Sequence, residues 1–148
     1  MNTEKFWSLI ALIDKDALAE DDEEGAIEPL QDALSDLELA ELESFEEQLS
    51  LALHAIDGEE FAANAGDSGG SDDGFLYARC YVVAKGRAYY NSVLANPKLM
   101  AKSEDMWCEA LLYPHREIWA EKTGKDASDW TFEASVSYES GSNEELWK

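Results

Sequence analysis

The sequence predicts an all-α, single-domain helical bundle of about six or seven helices with an extended C-terminal arm. Hydrophobic residues recur at intervals of three and four up to about residue 124, which is the period of amphipathic helices. One later segment, residues 130–138, alternates with the period of a strand instead. With 148 residues, 45% of them hydrophobic, the chain can bury one core. We therefore assign residues 1–125 to a helical domain, and residues 126–148 to an arm packed on it or on a partner.

The first two helices are placed by their caps and breakers. Thr3 is expected to cap a first helix that runs past Ala17 and ends near Gly25. A short second helix over residues 27–34 places Pro29 in its first turn, where a missing N–H breaks no helical hydrogen bond. The most acidic run of the chain would then connect these two helices.

The third helix has the clearest amphipathic pattern in the chain. Ser35 and Glu38 have the spacing of a capping box at its start, and Gly58 stops it after about residue 56. Acidic side chains such as Glu43 face away from its apolar stripe. The stripe consists of Leu39, Leu42, Phe45, Leu49, Ala52 or Leu53, and Ile56.

A glycine-rich loop lies between helices in the middle of the chain. Helical segments are expected at residues 59–65, 75–83 and 87–95, and the loop spans residues 66–74. Asp72 or Asp73 would cap the helix that follows the loop.

The last helix and the arm complete the chain. The helix is expected from about residue 103 to residue 122, with a kink at Pro114 and a stop at Gly124. Residues 130–138 then alternate apolar with polar side chains, yet no second strand is present to pair with them. Such a lone strand packs across the helices, pairs with the strand of another copy, or adds to the sheet edge of a partner.

Negative charge is the strongest bulk property of the chain. It has 33 acidic and 11 basic residues, for a formal net charge of −22. Residues 1–74 hold 22 of the acidic residues against only Lys5 and Lys15, which is −20, so the second half contributes −2. Such a surface repels nucleic-acid backbones and anionic membranes, and both partner classes are excluded. A small domain needs a net charge of only about 2–8 for solubility, so the excess needs another explanation.

Cysteines, histidines and the N-terminal segment give no sign of catalysis or secretion. The N-terminal segment lacks the basic start and cleavage site of a secretory signal, so a cytoplasmic protein is expected. Cys80 and Cys108 are expected to be buried thiols, and His54 and His115 core or boundary residues. Cys108 and His115 would be two helical turns apart, about 10.5 Å, which is too far for direct proton transfer. We expect no enzyme, no metal and no cofactor.

The density of acidic residues predicts capture of a cationic partner. Ten of them lie within residues 14–36 with Lys15 as the one basic residue, and their mutual repulsion costs stability. We expect an acidic protein-binding module, most specifically an immunity protein that neutralises a cationic, nuclease-like bacterial toxin by occupying its basic face. The candidate partner-binding residues are Asp14, Asp16, Glu20, Asp21, Asp22, Glu23, Glu24, Glu28, Asp32, Asp36, Glu43, Glu47, Asp67, Asp72 and Asp73.

One alternative function and one further partner stay open. The chain could be a non-catalytic regulatory or scaffold domain in which the acidity serves only solubility. The arm could also join two copies in a homodimer.

The acidic residues in and beside the glycine-rich loop have more than one reading. Asp67, Asp72 and Asp73 lack the ligand spacing of an EF-hand, so calcium is not favoured. One of them could cap the next helix while another pairs with Arg79 or Arg87, which would make both arginines structural. The loop could instead contact an arginine of a partner.

Several motifs together resemble those of one known family. They are Phe6-Trp7 with Ile10, Gly69-Gly70-Ser71-Asp72-Asp73-Gly74-Phe75 with Arg79, Gly86-Arg87, Asn96-Pro97 with Leu99, and Glu121-Lys122-Thr123-Gly124. Over about residues 3–124 this pattern is similar to that of the bacterial family catalogued as domain of unknown function 4240. The chain departs from it at Tyr81, where members usually carry Trp, and Pro114 is atypical. The resemblance implies a helical fold and leaves the function open.

Overall fold

Helices occupy most of the chain, as the three- and four-residue periodicity predicts. A computed structural model of the protein describes residues 1–147, and within them it contains eight α-helices and no β-strand, so the all-α prediction is confirmed. No helix in this range is long and apolar enough to cross a membrane. The α-helices are α1 Thr3–Ile10, α2 Lys15–Ala19, α3 Glu23–Leu34, α4 Leu39–His54, α5 Glu59–Ala63, α6 Asp72–Ala84, α7 Arg87–Ala95 and α8 Pro114–Thr123. Short 3-10 turns lie at Gly66–Gly70, Pro97–Leu99, Glu104–Met106, Glu109–Leu112, Ala127–Asp129 and Glu144–Leu146.

Helices α4 and α6 form the centre of the core. The apolar stripe of α4 is buried as predicted from Leu42 to Ile56, whereas Leu39, the first residue of the helix, remains exposed. Nearly every residue of α6 from Gly74 to Ala84 is buried, which is typical of a helix with neighbours on all sides. Those neighbours are helices α4 and α7 and the turns at residues 66–70, 104–106 and 109–112.

The predicted first helix is wrong in its length, because a capped break divides it in two. α1 ends at Ile10 and α2 begins at Lys15. The Asp14 carboxylate accepts hydrogen bonds from two first-turn N–H groups of α2, at 3.0 and 3.1 Å. Within a continuous helix this side chain would have no free N–H to bond, and Asp favours caps for that reason.

Two other helix starts also differ from the prediction. Asn2, rather than Thr3, caps α1 by accepting a hydrogen bond from a backbone N–H in its first turn. Glu38 caps α4 and forms the capping box with Glu41, whereas Ser35 is the last residue of the preceding turn, as the C-cap of α3. The predicted box was therefore one turn too early.

Helix α3 is longer than predicted and contains both residues expected to limit it. Asp22 caps it at residue 23, so Gly25 lies in its first turn and does not end a helix. Pro29 lies in its middle, not in its first turn, with an exposed side chain. Proline removes one backbone hydrogen bond there, and the buried apolar face of α3 outweighs that loss.

The glycine-rich segment is a 3-10 turn followed directly by α6. Ser71 caps α6 by accepting a hydrogen bond from Gly74 N at 3.0 Å, so the expected cap from Asp72 or Asp73 is wrong. A Cβ atom at Gly69 would lie 2.1 Å from the carbonyl oxygen of Ala62. Only glycine permits this close approach between the turn and α5.

Pro114 begins a helix and does not kink one. The region predicted as one helix from residue 103 contains the turns Glu104–Met106 and Glu109–Leu112, and α8 then starts with Pro114 at its first position. The fixed φ of proline suits that position and its missing N–H breaks no helical bond there. Gly124 ends α8 with φ +72°, as predicted for a left-handed stop.

The C-terminal arm lies extended across the helices without forming a strand. Trp130, Phe132, Ala134, Val136 and Tyr138 are half-buried and the residues between them are exposed. The alternation of the sequence therefore reflects a helical body on one side of the arm and solvent on the other. Residue 148, the last of the predicted arm, lies outside the described residues.

Candidate partner-binding surface

An acidic groove lies between α3 and α8. Glu24, Glu28 and Asp32 follow one another at four-residue spacing on α3 and so share one face of the helix. Glu117 and Glu121 face them from α8 across a cavity of about 550 Å³. All five carboxylates are exposed, and no Lys or Arg lines the groove among residues 1–147.

The floor of this groove is apolar. Ile27 of α3 and Ile118 of α8 are each 4% exposed, and the ring of Pro114 is also buried there. Tyr113 stands at the rim, 43% exposed, and its hydroxyl donates a hydrogen bond to Glu109 at 2.6 Å. An apolar floor with acidic walls suits a ligand that is amphipathic and cationic.

The remaining acidic candidates from Asp14 to Glu43 divide into carboxylates that are bonded within the fold and free surface charges. Asp14 and Asp22 are helix caps, and Glu23 accepts a hydrogen bond from Ala110 N at 3.1 Å, which ties α3 to the turn before α8. These three carboxylates are engaged within the fold. Residues whose side chains make no hydrogen bond or ion pair within residues 1–147 are Asp16, Glu20, Asp21, Asp36 and Glu43.

The acidic candidates after Glu43 do not join the groove either. Glu47 accepts hydrogen bonds from the N–H and the hydroxyl of Ser135 in the arm, the first at 2.7 Å. Asp67, Asp72 and Asp73 are exposed at the start of α6 and in the turn before it. The structure thus brings together three of the predicted acidic residues and adds two from α8 that the sequence reasoning missed.

The two arginines near the glycine-rich loop do not pair with its aspartates. Arg87 contacts both carboxylate oxygens of Glu4 at 2.9 Å. Arg79 is 0% exposed and donates to Leu53 O and to Ser140 Oγ, both at 3.0 Å, with its guanidinium over the Phe75 ring. Burial lowers the pKa of Arg79, and no carboxylate within residues 1–147 lies within ion-pair distance of it. The expected pairing with the loop is therefore wrong.

A buried charged cluster joins α4 to α8 and was not predicted. Glu46, 4% exposed, accepts a hydrogen bond from His115 Nε2 at 2.5 Å and another from Arg116 at 2.5 Å. Burial by itself would raise the pKa of Glu46, but these two donors outweigh it and hold that pKa below its ordinary value. Burial lowers the pKa of His115, so its ring is neutral and carries the proton on Nε2. The signal in the sequence was a glutamate on the apolar face of α4.

This cluster has the chemistry of a structural tie. A cavity of about 300 Å³ beside it is lined by Glu46 and Arg116, but His115 is fully buried and does not line it. The two thiols are buried as well, and burial raises the pKa of Cys108 to about 12. No three His, Cys, Asp or Glu side chains within residues 1–147 are grouped so that they could hold a metal ion.

Comparison with known proteins identifies a family and no relative of known activity. The family described as "Protein of unknown function (DUF4240)" matches residues 1–133. No curated protein matches the chain, and neither does any solved structure. The match covers all eight helices and stops within the arm.

Proposed function

The chain belongs to the DUF4240 family, and because the function of that family is unknown, we propose one from the groove: an acidic module that binds a cationic protein partner. The observation that carries the proposal is the set of five carboxylates over an apolar floor, with no basic side chain among the lining residues. Removing these charges would relieve repulsion, so their grouping is best explained by a cation that neutralises them.

The spacing of the groove indicates what kind of segment fits. Successive carboxylates on α3 are four residues apart, which is about 6 Å along a helix. Lys or Arg side chains four apart on a partner helix, or two apart on a partner strand, repeat at about the same distance. The partner segment would place its basic side chains toward α3 and α8 and an apolar side chain on Ile27 and Ile118.

The charge outside the groove would act on the rate of association. Residues 1–74 carry −20, of which Glu24, Glu28 and Asp32 in the groove account for −3. Surface carboxylates such as Asp16 and Asp36 contribute to the rest without a hydrogen bond or ion pair within residues 1–147. The electrostatic field of these charges attracts a cationic protein from a distance, and added salt shortens the range of that attraction. In its specific form the proposal is an immunity protein whose partner is a nuclease-like toxin, since the same acidity imitates a nucleic-acid backbone.

A defined cationic peptide tests the groove directly. The probe is a fluorescent helical peptide with Lys at four-residue spacing and Leu between, compared with a scrambled peptide of the same composition. We expect binding by fluorescence anisotropy that weakens steeply between about 50 and 500 mM salt, as the Debye length shortens. Binding that ignores salt, or equal binding of the scrambled peptide, would refute recognition by the groove.

Matched charge variants separate the groove from the general field. The triple variant Glu24→Gln, Glu28→Gln, Glu117→Gln removes three groove carboxylates, and Asp16→Asn, Asp36→Asn, Glu43→Gln removes the same charge elsewhere. We expect the first variant to lose binding and the second to retain most of it. Equal losses would show that only the total charge matters.

The second candidate function is a regulatory or scaffold domain in which acidity serves solubility. Exposed carboxylates outside the groove such as Asp16 and Asp36 favour it, because their side chains make no hydrogen bond or ion pair within residues 1–147. It predicts that the groove variant is less soluble than the wild type and that no cationic partner is retained by the tagged protein. A toxin gene beside the gene for this chain would favour the immunity function instead.

A further inference from the structure

The arm is held to the helical body without a backbone-to-backbone hydrogen bond. Within residues 1–147, no backbone N–H to carbonyl hydrogen bond joins the arm to the body, and those of the arm, such as Ser142 N to Glu139 O, stay within it. The contacts between the two are hydrogen bonds that involve at least one side chain, together with aromatic packing such as that of Trp147 on Phe75. The arm is therefore a separate unit that rests on a surface of the helical body, which we call the arm seat and which is distinct from the acidic groove.

Without an arm, the arm seat has buried charged groups that lack hydrogen-bond partners. Asp57 is 0% exposed, and all three hydrogen bonds that it accepts come from the arm: Gly141 N and Asn143 N at 3.0 Å and Trp147 Nε1 at 2.8 Å. Arg79, equally buried, takes one of its two acceptors from the hydroxyl of Ser140. Removing the arm would leave a carboxylate and a guanidinium short of partners, which is costly unless another arm replaces it.

The connection between body and arm contains no buried residue. Residues 124–129 are all exposed, and they reverse the chain so that Trp130 returns onto Trp119 of α8, with ring centroids 5.6 Å apart. Extended, six residues span about 20 Å, enough to carry the arm away from its own body. A second copy offers the same arm seat, so exchange of arms replaces every contact between arm and seat with an identical one.

We propose that the arm is exchangeable, and that the arm seat of one copy accepts the arm of a second copy of this chain to form an arm-exchanged dimer. The closed monomer and the dimer make the same contacts between arm and arm seat. The equilibrium between them is therefore set by the linker, by the entropy of association and by the repulsion between two chains of net charge −22. Repulsion favours the monomer at low salt, and screening shifts the balance to the dimer.

Shortening the linker tests the exchange. With residues 125–128 deleted, only Asp129 separates Gly124 from Trp130, a span of at most about 7 Å, so we expect the arm to dock on another copy rather than on its own α8. We expect light scattering after size exclusion to give twice the mass of one shortened chain, which is slightly below the 16.5 kDa of the full chain, with a dimer fraction that rises with salt. A folded deletion variant that stays monomeric at high protein concentration would overturn the proposal.

A glycine pair supplies the matched control. A Cβ atom at Gly58 would lie 2.7 Å from Cβ of Leu146, whereas at Gly70 it would meet nothing within 4 Å. Adding Gly58→Ala to the deletion should lower the dimer fraction, and adding Gly70→Ala should not. Equal dimer fractions would place the interface elsewhere and refute the exchange.

Should the deletion variant fail to fold, exchange between wild-type chains decides. Tagged and untagged wild-type chains are incubated together in about 1 M salt, where the Debye length is about 3 Å. We expect untagged chain to be retained with the tagged one, and no retention would refute the exchange. The salt dependence is opposite to that of cationic capture, so either proposal can fail without the other.

Discussion

Replacing Asp57 with alanine should release the arm and destabilise the protein. The buried carboxylate accepts three hydrogen bonds from the arm, and each bond to a charged acceptor is worth about 1.5–3 kcal/mol. The gross contribution is therefore about 5–9 kcal/mol, from which desolvation of the carboxylate subtracts several. We expect a net loss of about 3 kcal/mol in the free energy of unfolding.

Thermal unfolding and limited proteolysis measure this effect. For a chain of this size each kcal/mol corresponds to about 2–4 °C in Tm, so Tm should fall by about 6–12 °C. Proteolysis should cut the variant within the arm before the helices, because the arm loses its anchors first. Asp67→Ala is the control, since Asp67 is exposed and its side chain makes no hydrogen bond within residues 1–147, and its effect should stay within about 0.5 kcal/mol.

Two results would contradict this reasoning. A Tm within about 2 °C of the wild type would mean that the three bonds contribute less than 1 kcal/mol in total. An arm as resistant to protease as in the wild type would mean that other contacts, such as those of Ser135 with Glu47, hold it alone.

Three further substitutions test other parts of the structure. Glu46→Gln should lower the free energy of unfolding, measured in urea, by less at about pH 3 than at pH 7. A carboxylate whose pKa is depressed in the folded state stabilises the fold above its unfolded pKa of about 4.3, and that stabilisation is lost as the pH falls through the folded pKa. Gly69→Ala should cost about 1–3 kcal/mol, since the new Cβ would lie 2.1 Å from Ala62 O, while Gly70→Ala at an open position changes Tm little. Ser71→Ala should cost about 1 kcal/mol by removing the cap of α6, and Ser71→Asp should restore most of it; equal Tm values for Ser71→Ala and the wild type would show that the cap contributes nothing.

Periodicity predicted the helices better than single residues predicted their ends. The stripe from Leu42 to Ile56 is buried as its spacing requires, because burial of an apolar face does not depend on local detail. Asp14 and Ser71 were misjudged because several polar residues near a helix start can serve as its cap, and the choice depends on where the core places the first turn. Pro114 fits either inside a kinked helix or at the first position, and packing against α4 and α3 selected the latter.

The candidate site was predictable only in part, because its two walls are far apart in the sequence. The four-residue ladder of Glu24, Glu28 and Asp32 can be read from α3 alone. That Glu117 and Glu121 face it follows from the packing of α8 on α3, which no local pattern encodes. The hydrogen bonds between Asp57 and the arm are non-local in the same way, because their donors lie 84 to 90 residues away in the sequence.

Helix α8 carries the acidic groove and the seat of the arm on different faces. Glu117 and Glu121 line the groove, whereas His115 and Trp119, two positions earlier in each case, contact Trp130 of the arm. Two residues turn a helix by about 200°, so the two faces are nearly opposite. The buried pair of Glu46 and His115 ties α8 to α4 beneath the arm, through a hydrogen bond that involves no arm residue. We therefore expect the groove to stay in place when the arm opens, so that under the two proposals a copy that has given its arm to another would still bind a cationic partner.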